Sequence, residues 1–294
     1  GSEYSFRLRK NLLYKGKVNV EGGNFSFTFI VPKDIAYRFD SGKISYYATD
    51  GTRDAGGYYA DLVIGGSVDE QASDNTGPEI SLYMNDLRFR DGGVTGQNAR
   101  LLAVVSDASG INTIGNGIGH DITAVLDGNT SEPYILNDFY ESDYDTFKSG
   151  YIWFPFSMLA VGKHTVKVKV WDVFNNSTEA EINFEVRSSG EFVISEIYNF
   201  PNPFSNYTDI VFEHNQQGVE FAIRAEIYSV SGQLVRVIEQ TDPQNGSVST
   251  PVRWDGLGNN GSPVSPGIYF YNLIVRTSNG LNARSSGKMI YKKE

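Results

Sequence analysis

The sequence predicts an all-β protein built from tandem immunoglobulin-like β-sandwiches. Three observations support this fold class: apolar and polar residues alternate in several short segments, glycine and aromatic residues are abundant, and two polar joints divide the chain into lengths that suit sandwich domains. The 294 residues include 31 glycines, 18 tyrosines and 18 phenylalanines. This composition favours strands and tight turns, and no segment shows a convincing helical pattern.

The alternating segments predict antiparallel strands with one face in solvent. They are "NFSFTFIVP" (24–32), "KISYYATD" (43–50), "HTVKVKVWD" (164–172) and "EINFEV" (181–186). In the first segment, Phe25, Phe27 and Phe29 share one face. In the third segment, the valines face inward and the lysines face outward, which is the pattern of a strand that covers a hydrophobic core.

Two polar joints, "SVDEQASDNTGP" (67–78) and "VRSSGEF" (186–192), predict three domains. Their predicted bounds are 1–76, 77–189 and 190–294. Each length suits a seven-stranded sandwich. Gly1-Ser2 looks like a cloning remnant, so we expect the chain to begin within a longer protein and the first domain to be incomplete at its N-terminus.

Composition argues against several classes of function. The net charge of −10 argues against nucleic-acid binding, which needs clustered Lys and Arg. The absence of cysteine excludes disulfides, thiolate metal sites and a cysteine nucleophile within this chain. Because no apolar run approaches 18 residues, no transmembrane helix is predicted.

No complete catalytic or cofactor-binding pattern is present. The stretch 109–121 contains G-x-G-x-G, but no helix follows whose N-terminus would bind a phosphate. His120 and Asp121 are neighbours in a predicted strand, so their side chains would point to opposite faces. His164 and His214 fall in separate predicted domains. We therefore predict no catalytic residue, no cofactor and no enzymatic activity for this chain.

The stretch "NDFYESDYD" (137–145) is a candidate calcium loop, because hard cations prefer several oxygen ligands from one loop. Its carboxylates are Asp138, Glu141, Asp143 and Asp145. A solvated acidic loop without a metal is the alternative. A second candidate group comprises Asp50, Asp54 and Asp61.

The three tryptophans, Trp153, Trp171 and Trp254, leave two interpretations open. Together with the tyrosine-rich strands they could form a carbohydrate platform. The alternative is that they fill or cap sandwich cores, as large aromatic side chains usually do.

The last predicted domain resembles the C-terminal domains of type IX secretion proteins. Four motifs occur in order: "NFPNPFS" (199–205), "IYSVSGQLVR" (227–236), "SPGIYFYNL" (265–273) and "GKMIYKK" (287–293). The stretch around Trp254 also resembles the immunoglobulin-like domain of the flagellar hook-capping protein. The motif residues are Pro201, Asn202, Pro203, Phe204, Gly232, Trp254, Asp255, Gly256, Gly267 and Tyr269.

These motifs predict specific local structures. Pro201 and Pro203 would hold an extended entry without hydrogen-bond donors. Gly232 would close a hairpin, and Gly267 would begin a strand with two different faces. The terminal strand would have an uncovered edge, with Lys288, Lys292 and Lys293 as candidate docking residues for a partner protein.

The preceding regions resemble the sortases of the type IX secretion system, which are gingipain-like cysteine peptidases of the Bacteroidetes cell surface. The resemblance is carried by stretches such as "DAGGYYADLVIGG" (54–66), "GPEISLYMND" (77–86) and "GKHTVKVKVWDVFNNS" (162–177). It implies a parent enzyme that removes C-terminal signal domains from secreted cargo and joins the cargo to anionic lipopolysaccharide.

The family's catalytic Cys and His belong to an N-terminal peptidase domain, so no catalytic residue carries over to this chain. The resemblance implies that these domains act as scaffold and dock to an outer-membrane β-barrel of the PorV type and to other components of the attachment complex. It also implies an exported protein associated with the outer membrane of a Gram-negative cell. Two alternatives remain: a secreted cargo protein with a cleavable export domain, and an adhesin with carbohydrate-binding sandwiches.

Overall fold

The computed structural model describes residues 12–33, 39–66, 74–114, 119–188, 190–243 and 246–292. Within these ranges the chain is all-β, as the sequence predicts, and a single 3-10 turn spans Asn137–Phe139. Three parts of the chain that the sequence analysis names lie outside the described residues. They are Lys293, most of the first polar joint, and residues 115–118 of the glycine-rich stretch.

The chain forms two compact units. The first comprises Gly1–Ser81, Ala103–Trp153 and Lys167–Ala180, and the second comprises Leu82–Leu102, Phe154–Val166 and Glu181–Glu294. Both units include parts of the predicted middle domain, so the domain bounds at 76 and 189 stay predictions.

The described residues between 12 and 66 form four strands: β1 (Asp40–Ser41), β2 (Ile44–Thr49), β3 (Asp54–Tyr59) and β4 (Val63–Ile64). They form two separate two-stranded sheets, β1-β4 and β2-β3. The strand predicted at 43–50 is therefore present as β2, but most of its side chains are exposed. The described part of this region does not have the seven strands that its length suggested.

The strand predicted at 24–32 is absent, and that prediction was wrong. Its alternation still brings the rings together: Phe29 stacks on Tyr14 with ring centroids 4.7 Å apart, and Phe27 lies 6.2 Å from Phe29. A strand also needs a hydrogen-bonded neighbour along its length. Within the described residues, the only bridge in this stretch joins Asn24 to Glu21.

The described part of the middle region contains nine strands. They are β5 (Glu79–Met84), β6 (Val94–Thr95), β7 (Arg100–Ser106), β8 (Thr123–Leu126), β9 (Tyr134–Ile135), β10 (Tyr140–Ser142), β11 (Ser149–Pro155), β12 (Gly162–Trp171) and β13 (Ser177–Val186). A four-stranded sheet has the order β10-β11-β7-β5, and a five-stranded sheet has the order β6-β13-β12-β8-β9.

The two alternating segments of the middle region form its longest strands. β12 buries Val166, Val168 and Val170, and β13 buries every second residue from Ile182 to Val186. Burying an aliphatic side chain of this size contributes about 1.5–3 kcal/mol. The period-two pattern thus identified the buried faces correctly.

In the last region, the residues that the structure describes form seven strands. They are β14 (Ile194–Phe200), β15 (Thr208–His214), β16 (Glu220–Ser229), β17 (Leu234–Pro243), β18 (Val252–Trp254), β19 (Gly267–Thr277) and β20 (Asn282–Tyr291). They form a three-stranded sheet, β14-β15-β18, and a four-stranded sheet, β17-β16-β19-β20. All of these pairs are antiparallel.

The core of this last sandwich is aromatic and aliphatic. β19 directs Tyr269, Tyr271, Leu273 and Val275 into it and leaves Phe270 on the outer face. The remaining fully or nearly fully buried members include Phe204, Phe212, Phe221, Trp254 and Met289. The alternation along β19 therefore gives the strand two chemically different faces.

Candidate functional site

The P-N-P-F segment forms bends and not the extended entry predicted from its prolines, so that prediction was wrong. The peptide bonds that precede Pro201 and Pro203 are both cis. The bends place Asn202 and Phe204 beside β20, where they take part in the hydrogen bonding of the sheet.

Asn202 and Phe204 cover the outer edge of β20 near its end. The Asn202 Oδ1 accepts a hydrogen bond from the backbone N–H of Ile290 at 3.0 Å, and its Nδ2 donates to the carbonyl of Lys288 at 3.1 Å. The backbone of Phe204 donates to Ile290 at 3.0 Å and accepts from Lys292 at 2.8 Å. The expectation that nothing covers the end of the terminal strand was therefore wrong.

The glycine-rich stretch after Trp254 covers the opposite edge of the same sheet. The backbone N–H of Asn259 donates to the carbonyl of Val235 at 2.9 Å, and its Oδ1 accepts from the N–H of Val237 at 3.0 Å. The Arg236 guanidinium donates to the carbonyl of Gly258 at 3.1 Å. This stretch forms an edge cover for β17, which accounts for its polar turn residues without a ligand.

Three motif aromatics meet inside the last sandwich. The ring centroid of Trp254 lies 5.4 Å from that of Phe204 and 5.1 Å from that of Tyr269, both in edge-on geometry. The Trp254 Nε1–H donates to the carbonyl of Leu257 at 2.9 Å, and the Trp254 side chain is fully buried. Trp254 therefore belongs to the core and is not accessible to a sugar.

Gly232 and Gly256 occupy the two motif turns that require a left-handed backbone. Gly232 lies between β16 and β17 with φ 79°, so it closes a hairpin at the predicted place. Gly256 has φ 72°, and a Cβ there would lie 3.1 Å from the ring of Tyr291. Asp255 accepts a hydrogen bond from the N–H of Leu257 at 3.1 Å and so supports the same turn.

The candidate docking lysines lie on β20 and just after it. Lys288 is exposed on the outer face, and Lys292 is exposed at the rim of an open groove of ≈ 610 Å³. The other residues that line this groove are Pro201, Pro203, Phe204, Ser205, Asn206 and Tyr207. Arg253 stacks 3.9 Å from the Tyr207 ring centroid, and its charge is paired with Asp209 through two 2.8 Å hydrogen bonds. Lys292 therefore carries the positive charge of this groove.

The predicted calcium loop does not gather its carboxylates into one site. Glu141 pairs with Lys17 and accepts from the Tyr151 hydroxyl at 3.0 Å. Asp143 accepts from Ser149 at 2.6 Å. Asp145 accepts from the backbone and side chain of Asn19, and Asp138 lies in the first turn of the 3-10 segment.

A different group of carboxylates comes together in the first unit: Asp74, Asp107 and Asp172 each offer an oxygen within 4.8 Å of the others. Asp172 is fully buried and accepts 2.7 Å hydrogen bonds from the backbone and the side chain of Asn176. Asp107 accepts from the N–H of Ser109 at 2.7 Å. Sequence reasoning missed this group, although aspartates that directly follow β7 and β12 were a usable signal.

Two of these carboxyls have shifted pKa values. Hydrogen bonds from Ser109 and Thr76 lower the pKa of Asp74 to about 2. Burial raises the pKa of Asp107, and the nearby charges of Asp172 and Asp74 act in the same direction. Their oxygens are of the kind that hard cations bind. However, all three carboxylates already accept hydrogen bonds from the chain, so the arrangement by itself assigns no ligand.

The three histidines occupy structural environments. His120 precedes β8 and is not in a strand, and its ring lies 4.4 Å from that of Trp171. His164 hydrogen-bonds to the carbonyl of Ala160 at 2.7 Å. His214 is buried, with its ring 4.8 Å from that of Phe221. Since the chain has no cysteine, no gingipain-like Cys–His pair exists within it.

In the second unit, the turn after β5 is held to the last sandwich by a partly buried polar network. Asn85 donates to the hydroxyls of Thr95 at 2.8 Å and Ser247 at 3.1 Å, and all three side chains are buried. Asp86 accepts from the N–H of Ser247 at 2.5 Å, and Arg88 donates to the carbonyl of Val248 at 2.8 Å.

Two further contacts extend this joint. Arg90 pairs with Glu196 at 2.9 Å and lies 3.6 Å from the largely buried Glu213. The carbonyl of Glu191 accepts 2.8 Å hydrogen bonds from the side chains of Asn215 and Gln216. Arg90 therefore adds a second contact between the segment after β5 and the last sandwich, and Glu191 holds the entry strand within that sandwich.

Residues 210–280 match the family model of the FlgD Ig-like domain. The described part of the chain contains no helix that could span a bilayer. Comparison with curated proteins gives no match.

The chain is similar to the structure of dimeric latent PorU from Porphyromonas gingivalis, with 33% sequence identity over 94% of this chain and a TM-score of 0.40. The match covers 26% of that PorU chain, so this chain spans about a quarter of its length. The chain is also similar to the fibronectin(III)-like modules of CbhA from Clostridium thermocellum, with 10% sequence identity and a TM-score of 0.26. That match covers 73% of this chain and 95% of the CbhA chain. A β-glucuronidase from Parabacteroides merdae is similar at 9% sequence identity and a TM-score of 0.28. That match covers 73% of this chain and 24% of the β-glucuronidase chain. At these TM-scores the superpositions support no conclusion.

Proposed function

We propose that this chain is the non-catalytic C-terminal region of a PorU-type protein of the type IX secretion system. In this proposal the last sandwich docks the protein to an outer-membrane β-barrel of the PorV type. The parent protein would carry its peptidase Cys and His outside this chain, and it would remove signal domains from cargo and attach the cargo to anionic lipopolysaccharide at the cell surface.

Two sets of residues support the assignment to this family. The four motifs at 199–293 occur in the order typical of type IX secretion C-terminal domains, and the FlgD Ig-like match lies within the same region. In the structure, the P-N-P-F motif and Asn259, which follows the W-D-G motif, cover the two edges of one sheet. The motifs therefore have a structural role in completing the sandwich.

The observation that carries the scaffold role is the network formed by Asn85, Asp86 and Arg88, in which the Asn85 side chain is buried and Arg88 is exposed. A cleavable export domain is expected to separate from its cargo after one peptide bond is cut. Here the last sandwich would remain attached through the buried hydrogen bond between Asn85 and Ser247 and the partly buried contacts of Asp86 and Arg88, and a buried polar group is costly to leave unpaired. The network thus favours a domain that stays with the protein over the cargo alternative.

The adhesin alternative receives no support from the third tryptophan. Carbohydrate platforms present their aromatic rings to solvent, but Trp254 is fully buried against Phe204 and Tyr269. Docking of a protein partner is thus the function that the last sandwich supports best.

The test is binding of the full chain to the detergent-solubilised PorV-type barrel from the same organism. We expect a stable complex in size-exclusion chromatography. Charge reversal by Lys292→Glu should weaken the complex, and the loss should be larger at low salt, where charge contacts are less screened. Arg276→Glu, an exposed charge reversal elsewhere on the last sandwich, is the control. No complex with the unmodified chain would refute the proposed function.

A further inference from the structure

The outer face of the four-stranded sheet carries an apolar row that runs across its strands. The register places Leu234 opposite Tyr228, Tyr228 opposite Phe270, and Phe270 opposite Lys288. In the next row, Ile268 lies opposite Ile290. Leu234, Ile268 and Phe270 are 43%, 42% and 45% exposed. We call Tyr228, Leu234, Ile268, Phe270 and Ile290 the outer-face patch.

Clustering distinguishes these side chains from isolated exposed apolar residues. Single surface aliphatics are common in soluble proteins, but a contiguous apolar patch with an aromatic centre is typical of an interaction surface. Tyrosine and phenylalanine supply large contact areas at such surfaces with little loss of side-chain entropy. Phe270 is the central residue of the patch, because it has patch members both in its own row and in the next.

The charges around the patch are unevenly balanced. On the β16 and β17 side, Arg224 pairs with both Glu226 and Glu239, so this group carries one net negative charge. On the β20 side, Lys288 and Lys292 are exposed, and neither forms an ion pair within the described part of the chain. The patch is therefore bordered on one side by uncompensated positive charge, although the chain as a whole has a net charge of −10.

The sheet edges offer less to a partner than this face does. Asn202 and Phe204 cover β20 over residues 288–292, and Asn259 covers β17. A strand added at an edge needs a run of free backbone groups. On β20, the stretch at 282–286 is the part of the edge that these segments do not reach.

We infer that the outer-face patch, and not the terminal strand edge, is the surface that docks the barrel partner. The inference rests on the proposed function and names the surface of that same docking event. The fitting partner surface is an apolar depression in the barrel's exposed loops with acidic residues beside it, which would pair with Lys288 and Lys292.

Charge also disfavours two other occupants. Two-fold pairing with a second copy would place this face against itself. Each copy would then offer two exposed lysines, Lys288 and Lys292, but only one net negative charge from the Arg224, Glu226 and Glu239 group. An anionic lipid surface would attract two lysines but would repel a chain of net charge −10. A local acidic patch on a protein satisfies the lysines without that repulsion.

The experiment measures the affinity of the full chain for the PorV-type barrel with single substitutions in three places. Phe270→Ser and Lys288→Glu alter the patch and its border. Ser286→Pro removes one N–H from the part of β20 that Asn202 and Phe204 do not reach, where proline is tolerated if that group faces solvent. Arg276→Glu lies on the same face, six residues from Phe270, and serves as the control. Circular dichroism and thermal unfolding establish that each variant is folded.

We expect Phe270→Ser to weaken binding at least tenfold, Lys288→Glu to weaken it mainly at low salt, and the other two variants to bind normally. Normal binding by folded Phe270→Ser and Lys288→Glu would overturn the inference and leave the proposed function standing. Loss of binding in Ser286→Pro alone would place docking at the edge. If the unmodified chain does not bind the barrel, the proposed function is refuted, and so is the inference that the outer-face patch docks the barrel.

Two controls address the other occupants. The first control is sedimentation with vesicles of phosphatidylcholine and phosphatidylglycerol. If the unmodified chain sediments with the vesicles and Phe270→Ser does not, the patch binds lipid and the inference of a protein partner is refuted. Concentration-dependent dimerisation that Phe270→Ser abolishes would assign the patch to a second copy, with the same consequence. Absence of both effects, together with weakened barrel binding, supports the inference.

Discussion

Replacing Asn85 tests the buried network that fixes the turn after β5 to the last sandwich. The Asn85 side chain makes three hydrogen bonds: it donates to Thr95 and Ser247, and it accepts from the N–H of Arg100 at 2.9 Å. Its backbone has φ 69°, a left-handed conformation that asparagine tolerates better than most residues. A substitution can therefore remove the three hydrogen bonds, introduce a residue that strains the left-handed backbone, or do both.

The structure gives an order of magnitude for each change. Three neutral hydrogen bonds at about 1 kcal/mol each give about 3 kcal/mol for loss of the side chain. A left-handed backbone costs a residue with a Cβ about 1 kcal/mol or more. We therefore expect Asn85→Ala to lower the free energy of unfolding by about 4 kcal/mol. Asn85→Gly keeps the backbone tolerance, so we expect a loss of about 3 kcal/mol.

The measurement is the free energy of unfolding in urea, followed by intrinsic fluorescence, together with hydrogen exchange of the amides at 94–100 and 246–250. Asn272→Ala, which removes an exposed asparagine from β19, is the control and should change stability by less than about 0.5 kcal/mol. If both Asn85 variants stay within about 0.5 kcal/mol of the unmodified chain, the network does not hold the joint and the reasoning fails.

Three further predictions concern the core, one cross-strand contact and the acidic cluster. Phe204→Ala should destabilise the last sandwich by about 3–5 kcal/mol in urea unfolding, because the ring is 3% exposed. Gly287→Ala should cost about 1–3 kcal/mol in the same assay, since its Cβ would lie 2.2 Å from a tyrosine ring on β19. Ser109→Ala should raise the pKa of Asp74 from about 2 toward its ordinary value of 3.8, as measured by NMR titration. Because the folded-state pKa is lowered, the stability that this carboxyl contributes is present above about pH 4 and is lost as the pH falls through about 2.

Each of these predictions has a matched control or a contradicting outcome. Phe200→Ala removes a ring that is 74% exposed and should have little effect; equal losses for the two phenylalanines would contradict the core assignment of Phe204. Ser286→Ala is the control for Gly287→Ala, and an unchanged unfolding free energy for Gly287→Ala would show that the ring moves aside freely. An Asp74 pKa that Ser109→Ala leaves unchanged would show that the hydroxyl is not its main partner.

Most of the fold was predictable where alternation coincided with burial. β12 and β13 have their buried residues at the predicted positions, since a period-two pattern directly encodes which face meets the core. The same pattern at 24–32 predicted a strand that is absent. Alternation specifies a face but not a neighbour, and a strand exists only where another strand supplies its hydrogen bonds.

The candidate sites were harder to predict, because they depend on residues far apart in the sequence. The carboxylates at 137–145 are close in sequence, yet they bind different protein groups. Asp74, Asp107 and Asp172 are far apart in sequence and lie together. The edge of β20 appeared free because nothing in the chain follows it, but Asn202 covers it from 86 residues away, at Lys288.

The sequence by itself determined the fold class, the inward-facing residues of the longest strands, the turn at Gly232 and the absence of a cysteine nucleophile. These are local properties, set by side-chain period, backbone freedom and composition. Only the tertiary structure decided that the P-N-P-F motif and the loop after the W-D-G motif cover opposite edges of one sheet, that Trp254 is buried, and that Phe270 lies beside Tyr228 and Ile268 on an open face. Each of these depends on which strands pair and in what register, and pairing is decided by contacts between distant segments.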